Sequence, residues 1–172
     1  RALWPREEVL AAAGDGALKA MAGKRNLHHL MIALSDAGLP LLHELPVFKS
    51  WQGVDAPVSL LGPKVLPNHL SLRGSVTDRG MRHLRGLDGL FSLDIDDSRL
   101  GITAAGLEPL VSLPHLGALG VDAKDDWMPY VAEIPNLRFL SVQDTVAGDD
   151  GFVALSRSRS SPWAIVSRGE WS

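Results

Sequence analysis

Six histidines are the side chains here best suited to acid–base or metal chemistry: His28, His29, His43, His69, His83 and His115. Imidazole titrates near neutral pH and is a frequent metal ligand. Their spacing builds no centre. No pair stands at the i, i+4 helical separation with the acid that a metallohydrolase needs, and there is no G-x-S-x-G elbow or phosphate-binding glycine loop. His28 and His29 are adjacent, so on a strand they would point to opposite faces. The acidic run DIDDS from Asp94 resembles the start of a calcium loop but fails as one. Its sixth residue is Arg99 where glycine is required, and its twelfth is Ala105 where a chelating glutamate belongs. Cysteine is absent, which removes thiol catalysis, thiolate-bound metal and disulfide-capped repeats. The expectation is a chain that is not an enzyme, with no catalytic residues, no metal site and no cofactor.

The elements that must position any other site follow from an internal repeat. Leu45, Leu66 and Leu87 are separated by steps of 21 residues; the same step backward reaches Lys24, and after a step of 26 the pattern resumes at Leu113 and Ile134. Six residues after each start stand Leu30, Trp51, Leu72, Leu93, Leu119 and Leu140; three after stand Leu27, Phe48, His69, Leu90, Leu116 and Leu137. Fixed periods of this length are the signature of stacked repeats. Apolar residues alternate with small or polar ones around the sixth and eighth positions, as a half-buried strand requires. Strands that recur in one direction need crossovers, so the sheet is predicted to be parallel. The returning segments carry i, i+3 apolar spacing in Leu39, Leu42, Leu45; Met81, Leu84, Leu87; and Leu107, Leu110, Leu113. These read as short helices or 3₁₀ turns facing the sheet. Ser35 or Asp36, Thr77 or Asp78, and Asp149 are placed to cap them. The two prolines of VDAPVSLLGPKV predict an irregular connection after Trp51.

The copies LPHLGALGV from Leu113 and IPNLRFLSV from Ile134, with SDAGLPLL from Ser35, TDRGMRHL from Thr77, TAAGLEPL from Thr103 and DDGFVAL from Asp149, resemble leucine-rich repeats. The likeness covers about residues 26–155 and is closest to bacterial repeats with a T-D-x-G-L helix start, akin to the ribonuclease-inhibitor-like and cysteine-containing subclasses. It implies an α/β solenoid with a parallel sheet on its concave face, short helices or 3₁₀ turns on its convex face, and recognition of another protein by the concave sheet. The chain then divides into a helical N-terminal cap (1–23), about six repeats (24–155), and a C-terminal connector with a capping strand, WAIV from Trp163 (156–172). In the cap, Trp4, Val9 and Leu10 would cover the first repeat; the serine-arginine stretch LSRSRSSP reads as a solvated connector.

The repeat register gives the outward face of that sheet. Its candidate partner-binding residues are His29, Met31, Gln52, Ser71, Arg73, Ser92, Asp94, Asp96, Asp122, Phe139, Ser141 and Gln143. Asp94, Asp96 and Asp122 gather near Phe139, an arrangement suited to docking a basic segment through charge steering and an aromatic anchor. Against this stands the simpler reading that Asp94 pairs with Arg73 one strand away. Trp51 would fill the core column beside Gly53 and Gly74, and His115 would share a hydrogen-bonding slot at the strand entrance with Asn68 and Asn136. His69 falls in a core column, either as a buried histidine or as a sign that Leu70 has moved inward. Trp127 and Tyr130 lie on the convex side, where packing against a neighbouring helix competes with a second contact surface.

With 172 residues, 45% hydrophobic and 22% charged, the chain can bury a continuous core. A net charge of −3 gives no reason to expect nucleic acid or an anionic membrane as partner. No apolar run is long enough to span a bilayer, and no signal peptide is visible. The chain opens on Arg1 and not on Met, so it reads as part of something longer; a cytoplasmic, monomeric domain is the expectation. The principal function expected is protein–protein recognition by the concave face. The alternatives are a spacer or capping segment of a multidomain protein, and an accessory substrate-binding domain of an enzyme encoded elsewhere.

Overall fold

In the computed structural model, residues 14–51, 67–95, 101–145, 148–158, 160 and 164–167 are described. They form an α/β fold around one parallel sheet of six strands: β1 (His29–Ser35), β2 (His69–Ser75), β3 (Ser92–Ile95), β4 (Ala118–Ala123), β5 (Phe139–Thr145) and β6 (Ala164–Ser167). The strands lie side by side in chain order, each parallel to the next. Such neighbours can be joined only by crossovers, and short helices supply them. α1 (Asp15–Ala20) precedes β1, and the crossovers carry a 3₁₀ helix Leu39–Glu44 continuing into α2 (Pro46–Lys49), α3 (Asp78–Met81) with a 3₁₀ turn Arg82–Leu84, a 3₁₀ helix Ala104–Ser112, α4 (Met128–Glu133) and α5 (Asp149–Ser156).

Alternation decides which side of the sheet is covered. β1 reads HLMIALS, with every second residue buried and the others half-buried. The inward rows run straight across the sheet. Leu30, Leu70, Leu93, Leu119 and Leu140 form one, and Ile32, Leu72, Ile95, Val121 and Val142 the next, all at 5% exposure or less. The predicted helical stripes meet them: Leu39, Leu42, Leu45, Met81, Leu84, Leu87, Leu107, Leu110 and Leu113 belong to the same core. Burying one such leucine contributes about 1.5–3 kcal/mol, so the stacked rows are the main source of stability.

Two parts of the predicted register are corrected. β2 is displaced by two residues, so Leu70, not Leu72, completes the row of Leu30 and Leu93, and His69 stands on the open face opposite His29. The parity of the strand is unchanged by a two-residue shift, which is why Ser71 and Arg73 keep their predicted face while changing rows. The repeat from Leu45 places no strand between its neighbours, because β1 pairs directly with β2. Its Phe48 enters the core from α2 instead. The irregular connection expected after Trp51, and the cap residues Trp4, Val9 and Leu10, lie outside the described residues. At the other end Ala164–Ser167 supply a last strand, β6, paired with β5, while Trp163 lies outside the described residues.

The helix starts are held together differently from local capping. Thr77 does cap α3, its hydroxyl accepting from the Arg79 amide at 3.3 Å. The aspartates reach to the next helix start along the stack. Asp15 accepts from the backbone N–H (3.1 Å) and hydroxyl (2.5 Å) of Ser35; Asp36 accepts likewise from Thr77 (2.8 and 2.6 Å), and Asp78 from Thr103 (2.7 and 2.7 Å). Asp125 continues the series by accepting from the amides of Gly148 (2.8 Å) and Gly151 (3.1 Å), so α5 is served by this residue while Asp149 makes no side-chain cap. In three of the four copies the motif glycine makes room for the preceding carboxylate. A Cβ at Gly38, Gly80 or Gly106 would lie 1.9, 2.2 or 2.4 Å from an oxygen of Asp15, Asp36 or Asp78.

Candidate functional site, the open face of the sheet

With the helices packed on one side, the other face of the sheet carries the candidate residues in two clear rows. Along the strand entrances run His29, His69, Ser92, Ala118 and Phe139; one step further along run Met31, Ser71, Asp94, Gly120 and Ser141. Arg73 lies one step beyond, opposite Ala33, and Asp122 follows Gly120 on β4. Five intervals of about 4.8 Å make this ribbon roughly 24 Å wide. Gln52 and Asp96 lie outside the described residues, and of Gln143 only the backbone, within β5, is described.

The face has relief. His29, Met31, Asp94, Asp122, Phe139 and Ser141 are half-buried and Arg73 is exposed. Ser71 and Ser92, expected as a polar contact strip, are only 2% and 4% exposed. They form the floor between longer side chains, so a partner would meet their neighbours first. Asp94 sits opposite Ser71 on β2, not opposite Arg73, because of the two-residue displacement of that strand. Its carboxylate leans over β4, where a Cβ at Gly120 would lie 2.1 Å from Oδ1. The glycine thus lets the acid lie flat between strands.

Beside the acids is an aromatic cluster that the repeat pattern placed elsewhere. Trp51 is not in the core column. It follows α2 and lies across the strand entrances, half-buried, stacked on His115 (centroids 4.9 Å apart, planes 6° apart) and on Phe91 (5.6 Å, 26°). Phe91 and Ala118 are buried beneath this layer, with Phe139 packed against them. Phe91 needs this cover, because it directly precedes β3 and its ring occupies the space above Gly117, where a Cβ would come within 2.5 Å. The signal available in the sequence was two large aromatics, Trp51 and Phe91, in neighbouring stretches of the repeat pattern. Without the tertiary arrangement nothing said that they meet.

Hydrogen bonds fix the entrances to those strands. His115 Nδ1 lies 2.9 Å from the Asp88 carbonyl oxygen and the Asn136 amide donates to the Pro114 carbonyl at 2.6 Å, so both serve the previous turn of chain as expected. Asn68 does more. Its side-chain amide donates to the carbonyls of Val47 (3.2 Å) and Gly89 (2.8 Å), its oxygen lies 2.7 Å from His28 Nδ1, and its backbone adopts φ 46°. Asparagine tolerates that left-handed conformation better than most residues.

Histidines occupy the opposite end of the face. His29 and His69 stand in register on β1 and β2, ring centroids 6.0 Å apart, and His69 Nδ1 lies 2.9 Å from Ser92 Oγ. Burial, and secondarily the neighbouring His29, push the His69 pKa down to about 4; burial and then His28 lower that of His29. Both are therefore neutral imidazoles at pH 7.

On the helix side, Trp127 is 1% exposed and part of the core, with the Lys124 ammonium 4.6 Å above its ring centroid. Tyr130 packs against the same core. The packing reading of this pair holds, and Trp127 offers no contact surface. Among the described residues no group of three or more His, Cys, Asp or Glu is arranged to hold a metal ion, and no helix is long and apolar enough to cross a membrane. No protein-family model matches the sequence, and no curated protein matches it significantly.

Proposed function

We propose that this chain is a leucine-rich repeat solenoid that binds a protein partner through the concave, open face of its sheet, with an extended basic segment as the preferred ligand. The carrying observation is the juxtaposition on that face of the half-buried Trp51, His115 and Phe139, gathered over the buried Phe91, with Asp94 and Asp122. Aromatic anchors in a desolvated patch supply most of the energy in protein interfaces, and carboxylates at its margin set orientation and association rate. Support for the solenoid comes from strands paired in chain order, unbroken leucine rows, and the aspartate series that ties each helix start to the next. The repeats act as scaffold, and no catalytic role is proposed.

The test compares the parent with a variant carrying Asp94→Arg and Asp122→Arg, both immobilised and probed with arrays of extended lysine- and arginine-rich peptides and with acidic counterparts. The expected result is retention of basic peptides by the parent, loss by the variant, and the same circular dichroism for both. Retention unchanged by charge reversal would refute the assignment to this face. If no array or native extract supplied a ligand for either protein, the spacer role would replace it.

A further inference from the structure

We propose that His29 and His69 form a two-imidazole binding site for a divalent transition-metal ion of the copper, nickel or zinc class, bridging the first two strands on the open face. The two residues are directly opposite each other in the parallel register, with ring centroids 6.0 Å apart. A metal bonded to one ring nitrogen at about 2.0–2.1 Å stands roughly 3.2 Å from the ring centre, so two ligating rings have centres about 5.2 Å apart at a tetrahedral angle and about 6.4 Å apart when trans. The observed separation lies inside that interval.

The second nitrogen of His69 completes the argument. Metal-ligating histidines generally donate their other ring N–H to a fixed acceptor, which sets the tautomer and aims the lone pair. Ser92 Oγ, 2.9 Å from His69 Nδ1 and held on a buried residue, is placed to accept when Nδ1 carries the proton. With Nδ1 protonated toward Ser92, the Nε2 lone pair is left for a metal. Burial keeps both rings neutral at pH 7, and only neutral imidazole ligates. Imidazole favours copper, nickel and zinc over calcium or magnesium, and copper forms the tightest complexes of the series. Two protein ligands leave the remaining coordination positions to water or to a donor on an incoming molecule. The site is independent of the aromatic and acidic end of the sheet.

The experiment is calorimetric titration of the full chain, without any histidine tag, with Cu²⁺, Ni²⁺ and Zn²⁺, accompanied by electron paramagnetic resonance of the copper form. One ion per chain is expected, tightest for Cu²⁺, with hyperfine structure from two nitrogens. His29→Gln and His69→Gln should each abolish stoichiometric binding, and Ser92→Ala should weaken it about tenfold by freeing the ring of His69. A variant carrying His43→Gln and His83→Gln, both remote from the pair, should bind as the parent does. Absence of stoichiometric binding, or binding unaffected by loss of His29 and His69, would overturn the proposal. The His29→Gln and Ser92→Ala variants keep it testable should His69→Gln fail to fold.

Discussion

Replacing Gly38 by alanine should destabilise the protein through a residue more than twenty positions away. At an ordinary negative φ, Gly→Ala normally stabilises by about 0.4–1 kcal/mol, because it restricts the unfolded chain. Gly38 has φ −80°, so the backbone raises no objection. The obstacle is Asp15, whose Oδ1 and Cγ would lie 1.9 and 2.5 Å from the new methyl; the next neighbour, Leu34 Cδ2 at 3.1 Å, can yield by a few tenths of an ångström. Moving the Asp15 carboxylate breaks its bonds to the Ser35 amide and hydroxyl. Hydrogen bonds to a charged group are worth about 1.5–3 kcal/mol each, and the lower value suits a half-buried pair. Two bonds lost against the Gly→Ala gain leave a net cost of about 2 kcal/mol, or about 4–8 °C in melting temperature for a domain of this size. The decisive measurement is a double-mutant cycle by thermal and urea denaturation. In an Asp15→Ala background the obstacle is gone, so Gly38→Ala should turn neutral or slightly stabilising. An equal loss in both backgrounds would refute the idea that the motif glycine exists to seat the preceding aspartate.

Two further outcomes are expected. The depressed pKa of His69 means that between pH 6.5, where an unfolded histidine takes up its proton, and about 4, the unfolded state binds more protons than the folded one. Stability should therefore fall as pH drops through that window, and His69→Gln should flatten that part of the melting-temperature profile; a profile unchanged by the substitution would contradict the placement of the ring. Trp127→Ala should cost about 3–5 kcal/mol, as expected for a large side chain removed from a closed core, and a loss below about 1 kcal/mol would argue against its burial.

The sequence alone determined the rows and the faces. A leucine at a buried strand position is required in every copy, since each copy must cover its neighbour, so the columns of Leu30, Leu93, Leu119 and Leu140 and the helical stripes are written in the residue types. Side-chain alternation then assigns the opposite residues to the other face, which is why Asp94, Asp122, Arg73 and Phe139 were found there even with β2 two residues out of step. What tertiary structure decided was pairing along and across those rows. The interval between Leu45 and His69 carries enough apolar residues to imitate a repeat, yet the strand that pairs with β1 starts at His69, leaving Trp51 to cover Phe91. Thr77 and Asp78 are adjacent in sequence and read as alternative caps of one helix. Stacking instead brings Asp36 to Thr77, 41 residues away, and releases Asp78 to serve Thr103. Period and polarity are local properties that a chain displays residue by residue, whereas the partner of a carboxylate, an indole or an imidazole is set by which turns of chain come to rest against each other.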